Sequence, residues 1–346
     1  MTVQPETPNP RPTLPTPHSP MRKIGIGVVL VAIPVAAGVG VFQLQQREQK
    51  SNDDLERGFR YDDSALRKVD PALIGYTEVG QIQAGMQKPT CMSVGADGKL
   101  YVAGEQLARV MDAKGRELLA IPLTGVATAI AASPTGDIYI AVKTYVEVYS
   151  AEGKRKAAWT SLGRDSHITA IAAGDDAVYL ADAGRRAGRV VVCGLDGAVK
   201  SEIAGQNAAA GIPGIITPSA HMKLALTPEG SLWVANPGRH QLELYSPAGE
   251  LLKYFGQGGT TIEQFLGCCN PSDFALLADG RIVTAEKGVP RVKVYQPDGH
   301  MVSVVAGPDS FGGNRAGLEL AADSSGRVLV LEPGTSTIRL FAEKHS

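Results

Sequence analysis

Residues 271–286 read PSDFALLADGRIVTAE, and residues 291–307 read RVKVYQPDGHMVSVVAG. Apolar runs flank an Asp-Gly at 279–280, and two more flank an Asp-Gly at 298–299. Asp-Gly supplies the positive φ of a tight hairpin turn, and short apolar runs between such turns make strands. The stretch therefore predicts antiparallel strands joined by short turns, with no amphipathic helix between them. That excludes a parallel βαβ arrangement in practice.

Working outward, the same unit recurs as KPTCMSVGADGKLYVAG (88–104), ATAIAASPTGDIYIAV (127–142), ITAIAAGDDAVYLAD (168–182), MKLALTPEGSLWVAN (222–236) and LELAADSSGRVLVLE (318–332). The first turns fall at Gly98, Gly136, Ala177, Gly230, Gly280 and Gly326, spaced by 38, 41, 53, 50 and 46 residues. Repeats of this period mark a propeller, because one blade cannot bury both its faces alone and must stack on neighbours. The reading is all-β: a six-bladed β-propeller over 73–346. The last repeat ends after three strands, and the lone strand IGYTEVGQIQ (74–83) is expected to complete it and close the ring, which removes free sheet edges.

The pattern resembles the NHL-repeat family of β-propellers. That family's unit runs roughly Pro-x-Gly-apolar-Ala before the turn and Tyr-Val-Ala-Asp after it. Pro271–Ala275 with Val283–Glu286, and Val178–Asp182, carry the likeness. The resemblance implies a fold, and a wide range of roles: scaffolds, binders of ligands or RNA, lyases and, in related gluconolactonase-like propellers, metal-dependent lactone hydrolases. The Glu/Asn/Asn/Asp metal set of those hydrolases is not found cleanly here.

Composition narrows the partners. The net charge of -1 over 346 residues argues against nucleic acid, which needs a clustered basic face. Forty Gly and 22 Pro suit short strands and tight turns. Four cysteines are too few to scaffold a domain that buries ample apolar surface.

The N-terminal region reads as an address. Residues 1–21 form a Pro-rich tail, with seven Pro in the first 20 positions, a composition that favours disorder. Residues 22–44 predict a transmembrane helix: Ile24 to Leu44 is 21 residues without a charge, enough to span a ~30 Å hydrocarbon core. Arg22 and Lys23 favour a cytoplasmic N-terminus, although Arg47 and Lys50 lie on the far side. A cleaved signal peptide and a buried globular helix are the competing readings. Residues 45–72 read as a charged stalk. The expectation is a single-pass anchor in the cytoplasmic (inner) membrane, with the propeller extracytoplasmic.

Ligand sites in propellers sit where loops enter the channel. Counting seven residues back from each first turn gives Cys91, Ala129, Ala170, Lys223, Asp273 and Glu319 at equivalent places. Four of these six are polar or reactive, which also fits a merely hydrated channel mouth. Gly267-Cys268-Cys269-Asn270-Pro271 enters blade five just before Asp273. Its two cysteines have four chemical options: a vicinal disulfide, pairing elsewhere, ligation of a soft metal, or inert thiols. Should Cys91, Cys268 and Cys269 converge, copper or zinc becomes chemically sensible. Cys193 reads as a core residue.

Insertions around 205–220 and 256–269 are expected on the same rim, with His221, Lys223 and the cysteine pair. Glu286, Glu332, Asp182 and Asn236 follow second strands and read as turn caps. No catalytic motif appears in a matching context. The leading function is a membrane-tethered module binding a protein or small ligand at a rim of Cys91, His221, Lys223, Cys268, Cys269, Asp273 and Glu319. The alternative is a metal-dependent hydrolase or redox enzyme using Cys91, Cys268, Cys269, Asp273 and Glu319 of that rim, with copper or zinc as the candidate metal.

Overall fold

A computed structural model describes residues 64–184, 188–207, 211–312 and 317–344. The chain parts into two units, and the second, Asp63–Ser346, holds everything described below. The tail (1–21), the predicted span (22–44) and most of the stalk (45–72) lie outside the described residues. Among the described residues no helix is long and apolar enough to cross a membrane.

The described chain builds six antiparallel sheets in sequence order, five of four strands and one of three, plus a two-stranded hairpin. Blade one combines Pro89–Val94, Leu100–Met111 and Glu117–Val126. Its middle strand runs unbroken past a positive φ at Gln106; its first half pairs with the inner strand and its second half with the outer. The inner strands of the other blades are Ala129–Ala132, Ile168–Ala173, Leu224–Leu226, Asp273–Leu276 and Glu319–Ala322. The ring closes as expected: Tyr76–Gln83 pairs antiparallel with Thr337–Glu343 and becomes the outer strand of blade six. Arg281 of blade five then grips Glu343 with both terminal nitrogens at 2.7 and 2.8 Å.

Core packing explains why the strands read as continuous apolar runs. The buried apolar residues fall into six clusters, and each joins two neighbouring blades. Successive side chains of a strand point to opposite faces. Ile282 therefore packs toward blade four while Val283 packs toward blade six. Both faces being covered, there is no polar alternation to see. Cys193 lies in the cluster between blades two and three, as a core residue should.

One landmark departs from the pattern. In five blades the first turn closes with a glycine at positive φ: Gly98, Gly136, Gly230, Gly280 and Gly326. Blade three has Gly174-Asp175-Asp176-Ala177 instead, and Gly174 N–H donates to Ala177 O at 2.9 Å. Elsewhere the corresponding bond reaches one residue further, as from Leu277 N–H to Arg281 O. Without a glycine for the left-handed position, the turn is one residue tighter.

Candidate functional site

The six equivalent positions do gather at one mouth of the channel, as their inner strands require. Lys223 of blade four reaches to Glu319 of blade six at 2.6 Å and lies 3.4 Å from Asp273 of blade five. Asp273 accepts from the backbone N–H of Leu320 at 2.9 Å and of Phe274 at 2.6 Å. All three side chains are buried. The opposite half of the mouth is small and apolar: Cys91, Ala129 and Ala170, all buried. Below them lies a cavity of about 230 Å³, walled by Cys91, Ala129, Ala170, Lys223, Asp273 and strand residues further down.

The electrostatics follow from that enclosure. Burial, with Glu319 beside it, carries the Asp273 carboxyl up to about 8 against the pull of Lys223. Burial opposes the charge on Lys223, yet Asp273 and Glu319 together hold it above the ordinary lysine value. Burial also pushes the Cys91 thiol up to about 12, with Glu319 adding to the effect. His221 lies within electrostatic reach of Glu319, Lys223 and Lys287. Its imidazole is pushed down to about 4, by burial first and then by Lys223 and Lys287.

A second tier sits on the two insertions. Lys287 Nζ donates to Ser219 Oγ at 3.0 Å, tying the 205–220 insertion to blade five. Cys269 also bonds Ser219 and lies near Lys287. Asn270, buried, fixes this tier: its side chain donates to Lys287 O at 3.1 Å and accepts from Lys287 N–H at 2.9 Å. Lys287, Ser219 and Asn270 are the site residues that the repeat pattern does not reveal, because each lies in an insertion or connection and not at a repeat position.

The thiols do not form the suggested metal group. Cys91 packs into the cluster between blades one and two and lies within hydrogen-bonding reach of Ala103 O, whereas Cys268 is exposed on the loop entering blade five. Among the described residues no three His, Cys, Asp or Glu side chains gather in a metal-holding group.

The capping expectation holds for two of four residues. Asp182 accepts from the N–H of His167 and Gly184, and Asn236 from that of Ile216. Glu286 instead pairs with Arg291 and Lys293, and Glu332 with Arg339.

A wider hollow of about 730 Å³ lies at the turn end of the inner strands, lined among others by Leu226, Trp233, Lys253 and Leu276. The nearby acids Asp279 and Asp323 are already paired with Arg281 and Arg327. The ionic cluster therefore marks the first mouth as the candidate site. No protein-family model matches the chain, and no curated protein matches it. Solved structures do. A streptogramin B lyase superposes with TM-score 0.53 at 12% identity, covering 80% of this chain and 100% of that one. The WD40 propeller domain of Doa1 gives 0.51 at 12% identity, covering 78% and 98%. Virginiamycin B lyase from Staphylococcus aureus gives 0.51 at 11% identity, covering 78% and 100%. These likenesses show the propeller fold and nothing finer.

The mouth makes stability pH-dependent in a defined sense. An unfolded Asp ionises near 3.9, so up to about 8 the folded chain keeps a proton on Asp273 that the unfolded chain has lost. Stability then falls as pH rises. His221 acts in the opposite sense between about 4 and 6.5, where the unfolded chain binds the extra proton. Above 6.5 only Asp273 of the two remains. Lys293, held down to about 8 by burial, works the other way over the last part of that range, so denaturation of the full chain between pH 6.5 and pH 8 is expected to show a net loss of ~1 kcal/mol. Asp273→Asn is expected to flatten that slope, and an unchanged slope in the variant would contradict the assignment.

Proposed function

We propose that this chain is a membrane-tethered, NHL-type propeller, held on the extracytoplasmic side of a cytoplasmic membrane, that binds a protein or small ligand at the Lys223–Asp273–Glu319 mouth. One observation carries the binding reading. The equivalent positions of blades two and three hold Ala129 and Ala170, so the ring closes without ionisable groups there. Burying three of them on the other half costs several kcal/mol of desolvation that the fold itself does not require.

The two halves of the mouth suit a ligand with a polar end and a compact apolar end. The polar groups satisfy one another and the strands hold them rigidly, which is the preorganisation a recognition site needs. That mutual pairing favours a binding module over a hydrolase or redox enzyme, where a reactive group would stand uncommitted. The uncharged run in 22–44 supports the tether.

The binding reading is tested by thermal-shift screening of small amphipathic amines, amides and carboxylates against the full chain in detergent. A true ligand at a hundredfold excess over its Kd is expected to raise Tm by about 5 °C. Glu319→Gln should lose most of that shift. Ligands that shift both proteins equally would place binding elsewhere, and a panel without any shift would remove the small-molecule class. The tether is tested separately by alkaline washing of membranes: full-length chain is expected in the pellet, and its release would refute the anchor.

A further inference from the structure

Two thiols stand apart from the buried cluster, and the proposed function does not use them. Cys268 is exposed and Cys269 half-buried; both are free, with their sulfurs 3.1 Å apart. The other two cysteines are enclosed at 2% and 1% exposure, so a reagent in solvent meets Cys268 first. The loop carrying the pair is clamped just behind it by the bonds from Asn270 to Lys287 and to Leu266 O. The sulfurs are thus kept facing each other on a fixed segment.

We propose that Cys268 and Cys269 form a reversible dithiol–disulfide site that reacts with small-molecule disulfides. The Cys268 thiolate attacks one sulfur of the reagent. The reagent's S–S bond breaks, and the departing thiolate takes up the proton that Cys268 gave up. The Cys269 thiolate then attacks Cys268 Sγ, the mixed disulfide breaks, and a second thiol leaves carrying the proton from Cys269. Two cysteine thiols lose two electrons in all, and the reagent is reduced to two thiols.

Reversibility follows from chain geometry. Adjacent Cα atoms are 3.8 Å apart across a trans peptide, whereas unstrained disulfides join Cα atoms ~4.4–6.8 Å apart. A bond between neighbours therefore stores strain and is reduced readily, which suits a labile site and not a structural staple. Burial raises the Cys269 thiol, and its contact with Cys268 adds to that, while nearby Lys287 favours its thiolate. Cys268 is thus the attacking sulfur and Cys269 the resolving one.

The full chain is treated with oxidised glutathione, then alkylated and mapped by mass spectrometry. The native chain is expected to lose the mass of two hydrogens in a Cys268–Cys269 linkage, with no retained glutathione and full recovery by dithiothreitol. Cys269→Ser is expected to keep one glutathione on Cys268, because nothing resolves the adduct. Cys193→Ser, at the buried cysteine between blades two and three, should behave as the native chain does. A stable adduct on the native chain, a linkage to Cys91, a cross-link between chains, or no reaction would each overturn the proposal. None of these readouts depends on whether the mouth binds a ligand.

Discussion

Replacing Glu286 with leucine is expected to destabilise the chain by about 3–5 kcal/mol, the cost of leaving buried charge without its partner. Glu286 is fully buried between two cations that are themselves 1% and 0% exposed. It accepts from Arg291 Nε at 2.6 Å and from Lys293 Nζ at 2.7 Å. The excess positive charge is met by carbonyls of the 256–269 insertion: Arg291 reaches Gln264 O at 3.2 Å, and Lys293 reaches Ile262 O at 3.0 Å and Gln264 O at 2.9 Å. Phe265 of the same insertion lies under the Lys293 ammonium, 4.8 Å from ring centroid to Nζ. Burial already pulls Lys293 down to about 8, with Glu286 resisting. Losing the carboxylate drives it neutral and frees the insertion's anchor. Urea denaturation of Glu286→Leu measures the loss, and limited proteolysis is expected to cut within 256–269. Adding Lys293→Met should restore part of the stability by removing one orphaned cation. A single-variant loss below about 1 kcal/mol would show that the pair contributes little, as exposed pairs do.

That network also shows where sequence reading stops. Val292-Lys293-Val294-Tyr295 reads as a strand with one outward lysine, and only the covering insertion makes that lysine buried. A signal was nonetheless present. Val146-Glu147-Val148-Tyr149 and Leu242-Glu243-Leu244-Tyr245 put a charge at the same register of the third strand. In both blades the tyrosine hydroxyl donates to that glutamate at 2.6 Å. A charge repeated at one register, in strands covered on both faces, points to a buried and satisfied position.

The mouth was legible for a different reason. A propeller repeats its geometry, so counting back from the turn glycines finds residues that meet in space although Lys223 and Glu319 are 96 apart in sequence. Blade three shows why the count tolerates a missing landmark: its turn is one residue tighter, yet Ala170 still lines the channel. The insertions follow no repeat. Nothing in the periodicity places Ser219 beside Lys287.

Lys223→Met is the sharpest test of the mouth, because it removes the one cation between two buried carboxyls. At pH 8 the variant is expected to lose about 3–5 kcal/mol, since Glu319 and Asp273 would have to share an apolar site without a counter-charge. At pH 5.5 the loss is expected to shrink. The sign follows from the protons. Without Lys223, Asp273 in the folded chain holds its proton to higher pH than in the unfolded chain, so folding takes up a proton and stability drops as pH climbs. Glu319→Gln added to Lys223→Met should recover most of the loss at pH 8, because the remaining carboxyl, Asp273, is already held up to about 8. Denaturant midpoints of the two variants at both pH values decide the matter. Equal losses at pH 5.5 and pH 8 would mean that the lysine acts through packing of its methylene stem and not through its charge. A pH-dependent loss would leave the three side chains as one electrostatic unit, so that a ligand entering the mouth must meet them together.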